Sequence, residues 1–249
     1  MKYILVIFRL LAIVVFTSCA VSLLLLTILF KGNSHELGQK YGQLWGKVVS
    51  KLLGLRIKIE GKIPENRCLI MANHRSYSDI MLIYGHTACA FVGMAEARSW
   101  PLIGIAGEAV GTIFVDRRSP NSRKETLILM KKRLSEGYSV VVFPEGGTFA
   151  GPLTKEFKVG SFALAAENSI PIIPTAIEYQ YVTDAWTDGV SMMGHFIRTF
   201  GRLRTFVTIR FGEPIVEEDA AILLAKTQAY INGNLKEMRR EYEAYMAFS

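Results

Sequence analysis

Three short apolar runs, each leading straight into a polar cluster, constrain this chain more than any other feature. Cys68-Leu69-Ile70-Met71 opens onto Ala72-Asn73-His74-Arg75-Ser76-Tyr77-Ser78-Asp79. Ile113-Phe114-Val115 opens onto Asp116-Arg117, and Val140-Val141-Val142-Phe143 onto Pro144-Glu145-Gly146-Gly147-Thr148. Runs of this length without polar alternation read as strands buried on both faces, the condition of strands inside a parallel sheet with helices above and below.

The intervening segments supply those helices. Ile80-Met81-Leu82-Ile83 reads as the buried side of a helix that Ser78 is placed to cap. Ser119-Pro120 opens another, with Leu127, Met130 and Leu134 inward and Gly137 at its end. Residues 159–168 and the tail from Glu217 are helical in pattern, while residues 56–60, 90–94, 170–177 and 205–211 read as further strands. The predicted class is α/β, a mixed, largely parallel sheet flanked by helices. With 249 residues and no linker-like stretch, the chain divides into residues 1–55, an anchor and interfacial helix, and residues 56–249, one catalytic domain.

Leu10 to Phe30 carries no charge and as a helix would extend about 31 Å, enough for a hydrocarbon core of about 30 Å. Lys2 and Arg9 ahead of it also suit a secretory signal, but the run is longer than a signal core and no small-x-small cleavage site follows Phe30. Lysines flank both ends, so charge does not set an orientation, and full spanning and shallow insertion both remain open. From Ser34 to Leu53, apolar residues recur at helical spacing with Lys40, Lys47 and Lys51 along one border. That suits a helix in the head-group layer or one packed on the catalytic domain.

Composition agrees with a membrane setting. Half the residues are hydrophobic and the net charge is +7, with a mean hydropathy of +0.25 and a pI near 9.3, as suits an anionic lipid surface. No basic run interleaved with aromatics and no helix-turn-helix or zinc-finger spacing points to nucleic acid. Cys19, Cys68 and Cys89 are scattered in apolar company, which fits reduced thiols in a cytoplasm-facing protein and assembles no metal site.

The chemistry concentrates at residues 73–79. A neutral imidazole takes a proton from an alcohol near pH 7, and a carboxylate on its other ring nitrogen fixes the tautomer and stabilises the imidazolium. His74 and Asp79 supply both parts, although a His followed by an Asp five positions on is also what a capped helix start with a solvated His looks like. If the three strands are neighbours, Arg117, Glu145, the Gly146-Gly147 amides and Lys158 gather at the same sheet edge, where α/β proteins bind ligands. The bland alternatives are a surface pair for Asp116 with Arg117, a turn at Glu145-Gly146, and a solvated helix start at Lys158. His35, His86 and His195 have no motif around them and read as ordinary histidines.

Asn73-His74 through Asp79, Gly111 through Arg117, Phe143-Pro144-Glu145-Gly146 and Ile170-Pro171-Ile172-Ile173-Pro174, in this order, resemble the signature blocks of the glycerophospholipid acyltransferases that include 1-acylglycerol-3-phosphate acyltransferases. The resemblance implies the acyltransferase fold, with His74 as general base and Asp79 as its partner. It further implies Arg117 and Lys158 as phosphate contacts, and Glu145, Gly146 and Gly147 in the acceptor site. No cofactor or metal is implied. The co-substrate is acyl-CoA or acyl-carrier protein, and the reaction transfers a fatty acyl group to the free hydroxyl of a lysophospholipid, 1-acyl-sn-glycerol-3-phosphate in the family's best-known form, with membrane lipids as surroundings.

The family usually reads Glu-Gly-Thr-Arg where this chain reads Glu145-Gly146-Gly147-Thr148-Phe149, so an expected phosphate-binding Arg is missing. Another lysolipid, such as a lyso-aminolipid, is therefore an alternative acceptor. A serine hydrolase is disfavoured because no G-x-S-x-G elbow occurs. A non-catalytic lipid-binding protein on the same fold is disfavoured by the intact His74/Asp79 pair.

Overall fold

Leu69 to Ala72 forms the middle strand of a seven-stranded sheet, where none of its side chains reaches solvent. The computed structural model describes residues 1–32, 35–116, 120–187 and 189–247. In chain order its elements are α1 (Lys2–Lys31), α2 (His35–Leu52), β1 (Leu55–Glu60), β2 (Leu69–Ala72), α3 (Ser78–Tyr84), β3 (Cys89–Met94), α4 (Ile103–Ala109), β4 (Ile113–Val115), α5 (Pro120–Ser135), β5 (Ser139–Val142), α6 (Gly160–Glu167), β6 (Ile172–Tyr179), α7 (Met192–Phe200), β7 (Thr205–Phe211) and α8 (Ala220–Ala247). The expected Ser119 cap of α5 falls outside the described residues.

The sheet order is β1-β7-β6-β2-β5-β3-β4. Strands β2 to β6 run parallel, β7 runs antiparallel to β6, and β1 runs parallel to β7. This is the predicted mixed, largely parallel sheet. Successive residues of β2 serve opposite faces, as the strand repeat requires. Ile70 and Ala72 join a core built with Leu82 and Ile83 of α3, Val49 of α2, Phe200 of α7 and Leu24 of α1. Leu69 and Met71 join a second core with Met130 of α5, Phe162 of α6 and Leu235 of α8.

Because α3 follows β2 onto one face and α6 follows β5 onto the other, the loops leaving these neighbouring strands diverge. A crevice opens between such loops at the C-terminal ends of the strands. Asp116, after β4, lies at that same edge but two strands from β5.

α4 and α7 were not legible as helices. The first is a glycine-rich apolar stretch, and the second places His195, Phe196, Thr199 and Phe200 on its buried side at helical spacing.

α1 is the one helix among the described residues long and apolar enough to cross a membrane. It lies along the domain rather than away from it. Val6, Arg9, Thr17, Val21 and Leu24 face inward, while Ile4, Ile7, Phe8, Leu11, Val15, Leu26 and Leu29 form an exposed apolar strip. Trp45 of α2 donates its indole N–H to Thr17 at 3.1 Å, and Thr27 shares a hydrogen bond with Tyr41. Of the two settings open to α2, packing on the domain is observed, with Val49 buried, while Lys40, Lys47 and Lys51 remain exposed.

The strongest tie is Arg9. Its guanidinium donates to the carbonyls of Phe200, Arg202 and Leu203 at 2.7, 2.7 and 2.9 Å, in the turn between α7 and β7. A guanidinium in an otherwise apolar helix needs several acceptors at once, and a helix C-terminus offers carbonyls that lack partners within the helix. Arg9→Met is therefore expected to destabilise the protein by about 2 kcal/mol and to free α1. Amide hydrogen exchange in detergent micelles should show faster exchange in α1 and in residues 200–205, with β2 unchanged.

Candidate active site

The turn from β2 to α3 is organised by a carboxylate. Asp79 is fully buried, and its Oδ2 accepts the N–H groups of Arg75 and Ser76 at 2.7 and 2.9 Å together with His74 Nδ1 at 2.9 Å. Its Oδ1 accepts the Tyr179 hydroxyl at 2.8 Å. The expected Ser78 cap is not made. Tyr77 holds the N-cap position in a helical conformation, and the Ser78 hydroxyl instead bonds Tyr179 at 2.7 Å and Ser76 at 3.0 Å. Asp79 instead accepts amides that precede the helix, those of Arg75 and Ser76, and so fastens the turn rather than capping α3.

With Nδ1 donating to Asp79, the neutral His74 ring carries its lone pair on Nε2, and no described residue bonds that atom. The ring stacks on Phe143 at 3.9 Å and 14°, which fixes its plane. A fixed imidazole, partly open to the crevice and backed by a buried carboxylate, can remove a proton from a hydroxyl placed against Nε2.

The loop after β5 closes onto the same spot. Glu145 is buried, and its two oxygens accept the backbone N–H groups of His74 and Lys155, each at 2.8 Å. Burial holds the Glu145 carboxyl above its ordinary value, against the pull of those two N–H bonds. Phe149 N–H returns a bond to the His74 carbonyl at 2.8 Å. Gly146 adopts φ +73°, and a Cβ there would meet Lys158 Nζ at 2.4 Å. The positive φ is what calls for glycine here, while a Cβ would only push the flexible lysine end aside.

The structure therefore brings His74, Asp79, Glu145, Gly146, Gly147 and Lys158 together at the ends of β2 and β5. Arg117 lies outside the described residues. The Gly146 N–H is already given to the Phe143 carbonyl at 3.1 Å, so the expected pair of free glycine amides reduces to Gly147. Among the described residues, no cluster of three or more His, Cys, Asp or Glu is placed to hold a metal ion.

Several supporting residues escaped the sequence reading. Arg75 is buried, pairs with Glu178 at 2.7 Å and donates to the carbonyls of Phe149 and Gly151 at 2.8 Å each, and Arg239 of α8 closes on the same Glu178. Asn73 exchanges both of its amide bonds with the backbone of Ile177. His195, taken as an ordinary histidine, is a buried brace. Burial lowers its pKa, so it is neutral. Its Nε2–H donates to the Asp184 carbonyl at 2.8 Å, and Nδ1 accepts the Tyr77 hydroxyl at 3.0 Å. The available signal was Tyr77 itself, an aromatic with a polar tip inside the turn, which needs a partner when buried.

The family model described as acyltransferase matches residues 55–178. A lyso-ornithine lipid O-acyltransferase of Pseudomonas aeruginosa is 32% identical over 203 residues, covering 77% of each chain. The chain belongs to the acyltransferase family. This bears out the resemblance drawn from the four ordered blocks, which fall inside the matched span.

A second lyso-ornithine lipid O-acyltransferase, of Rhizobium meliloti, is 27% identical to this acyltransferase over 69% of the chain and 65% of its own length. The 1-acyl-sn-glycerol-3-phosphate acyltransferase of Neisseria meningitidis is 29% identical over 54% of the chain and 53% of its own. The crystal structure of the 1-acyl-sn-glycerophosphate acyltransferase of Thermotoga maritima shares the fold, with a TM-score of 0.75, 22% identity and coverage of 96% and 98%.

Two substitutions test the carboxylate. Tyr179→Phe removes one donor from Asp79 without changing shape and should lower kcat about tenfold, the worth of one hydrogen bond to a charged group. KM should stay nearly constant, while the unfolding free energy should fall by about 1.5–3 kcal/mol, the loss of one donor to a buried charge. Asp79→Asn turns an acceptor into a donor facing N–H groups, so transfer should fall by about 10³ or more and the unfolding temperature should drop with it.

Proposed function

We propose that this acyltransferase moves a fatty acyl group from an acyl thioester to the hydroxyl of a lysolipid by direct, general-base transfer. The observation that carries the reading is the His74–Asp79 pair, with Nδ1 held at 2.9 Å and Nε2 left without a bond to any described residue. His74 takes the proton of the acceptor hydroxyl as its oxygen attacks the thioester carbonyl. The tetrahedral intermediate then expels the thiolate, which recovers that proton from the imidazolium. No covalent acyl-enzyme is needed. The base contributes on the order of 10² to 10⁴ in rate, and the remainder comes from positioning and from donors to the oxyanion, for which the Gly147 N–H is the candidate.

The donor is acyl-CoA or acyl-carrier protein, both thioesters of the cytoplasm. The free thiols of Cys19, Cys68 and Cys89 suit a domain facing that reducing side. The exposed strip of α1 would sink into one leaflet while Arg9 keeps the helix docked, so shallow insertion is favoured over spanning. Acceptor and product are then taken from and returned to the same lipid layer.

For the acceptor, a lysolipid with an amino-acid head, as in the lyso-ornithine lipid of the relatives, is favoured by the missing Arg after Glu145-Gly146. A purely phosphate head would want that guanidinium. Lysophosphatidic acid is the second reading, carried by Lys158, whose ammonium lies over Gly146.

Purified protein in micelles, given labelled acyl thioester and a panel of lysolipids, should acylate lyso-ornithine lipid faster than lysophosphatidic acid. The reverse order would select the second reading. His74→Ala should lose at least 10²-fold in kcat while remaining folded and membrane-bound, and normal turnover by that variant would refute the mechanism.

A further inference from the structure

Away from His74, the C-terminal half of α2, the start of β1 and the turn after α3 line an open cavity of about 400 Å³ that shares no residue with the candidate active site. Its polar lining is Lys47, Ser50, Lys51, Arg56, Lys58 and His86, over an apolar floor from β1 and Phe206, and no carboxylate lines it. Lys58 is engaged by Glu60 at 2.5 Å and by Glu241 at 3.5 Å. Lys47, Lys51 and Arg56 make no ion pair with any described residue. Like charges held around one cavity repel, and nothing in the lining of this one offsets them.

The second observation is Ser50. Its residue is 2% exposed, and its hydroxyl is buried with no hydrogen-bond partner. A helical serine or threonine ordinarily returns its hydroxyl to the carbonyl four residues back, as Ser18 does to Val14 and Thr27 to Leu23 in α1. Ser50 does not, although leaving a buried hydroxyl unpaired is costly. His86 donates Nδ1–H to the Leu82 carbonyl at 2.9 Å, which fixes the ring at the cavity edge.

We infer that this cavity binds a phosphate group, with Ser50 donating to one oxygen and Lys47, Lys51 and Arg56 neutralising its charge. A phosphate supplies several acceptor oxygens and one or two negative charges in a compact group. That matches one short hydroxyl donor among flexible ammonium groups and a guanidinium that bonds two oxygens at once. The phosphate has two sources in this setting, the head group of an anionic phospholipid beside α1 and α2, or the nucleotide portion of an acyl-CoA. The inference does not rest on the catalytic role of His74 and would survive its failure.

Binding is measured on the full chain in uncharged micelles with glycerol 3-phosphate and, separately, with free coenzyme A. Cosedimentation uses phosphatidylcholine vesicles with and without phosphatidylglycerol. Lys51→Gln with Arg56→Gln, both exposed and free to change without unfolding the core, should weaken the phosphate-bearing probe about tenfold or more. Ser50→Ala should weaken it about fivefold, the loss of one neutral donor. The control Lys124→Gln with Lys131→Gln, which removes equal charge from α5, should leave binding unchanged. Loss confined to phosphatidylglycerol vesicles identifies the head group as the source, and loss confined to coenzyme A identifies the donor. Absence of binding by every probe, or equal loss in the α5 control, overturns the site.

Discussion

A carboxylate removed from water must be surrounded by donors or it will not stay charged, and Asp79 shows what that demands of a chain. Each hydrogen bond to such a charge contributes about 1.5–3 kcal/mol, and an unpaired buried charge costs more than any one of them returns. Asp79 is served by two amides of its own turn, by the His74 ring and by the hydroxyl of Tyr179, 100 residues further along the chain. The turn can close only when β6 lies beside β2. In this way the geometry of the His74–Asp79 pair and the pairing of the central strands become one condition.

The same logic extends outward. Tyr77 is fastened by His195, and His195 by the carbonyl of Asp184, whose carboxylate pairs with Arg202. The Arg202 carbonyl in turn receives the guanidinium of Arg9. A continuous run of polar contacts thus joins the apolar N-terminal helix to the residues between His74 and Asp79. Burial keeps the Asp184 carboxyl above its usual value, with Arg202 pulling it back down. The balance of these two effects makes that pair a structural joint rather than a surface ornament. Anchor and site are therefore parts of one packed object, sharing a core in which Val6 and Leu24 meet the side chains beneath the sheet.

Much of the fold was legible in residues. Cys68 to Met71, Val140 to Val142 and Ile172 to Ile177 have no polar face to show, so they had to be interior strands. Glycine after α5 and proline at its start marked that helix, and the spacing of Leu127, Met130 and Leu134 its inner face. His74 and Asp79 were legible as a candidate pair because they lie in a strand-to-helix turn and in a block that resembles the family's, although the same spacing also suits a capped helix start. Ser78 misled because its hydroxyl bonds Tyr179 and Ser76 instead of a helix amide, and Gly146 misled because its N–H closes a turn onto Phe143.

By itself the sequence determined most of the strands and helices, that α1 is apolar enough for a bilayer, and which residue types are candidates for the chemistry. Those properties follow from local periodicity and from the chemistry of single side chains. Only the tertiary structure decided that β2 sits between β5 and β6, that Arg75 is neutralised by Glu178 with Arg239, that Arg9 locks α1 down, and that Ser50 lines a cationic pocket. Each of these joins residues far apart along the chain, and partners of that kind are chosen by the packing of the whole sheet, which no local pattern records.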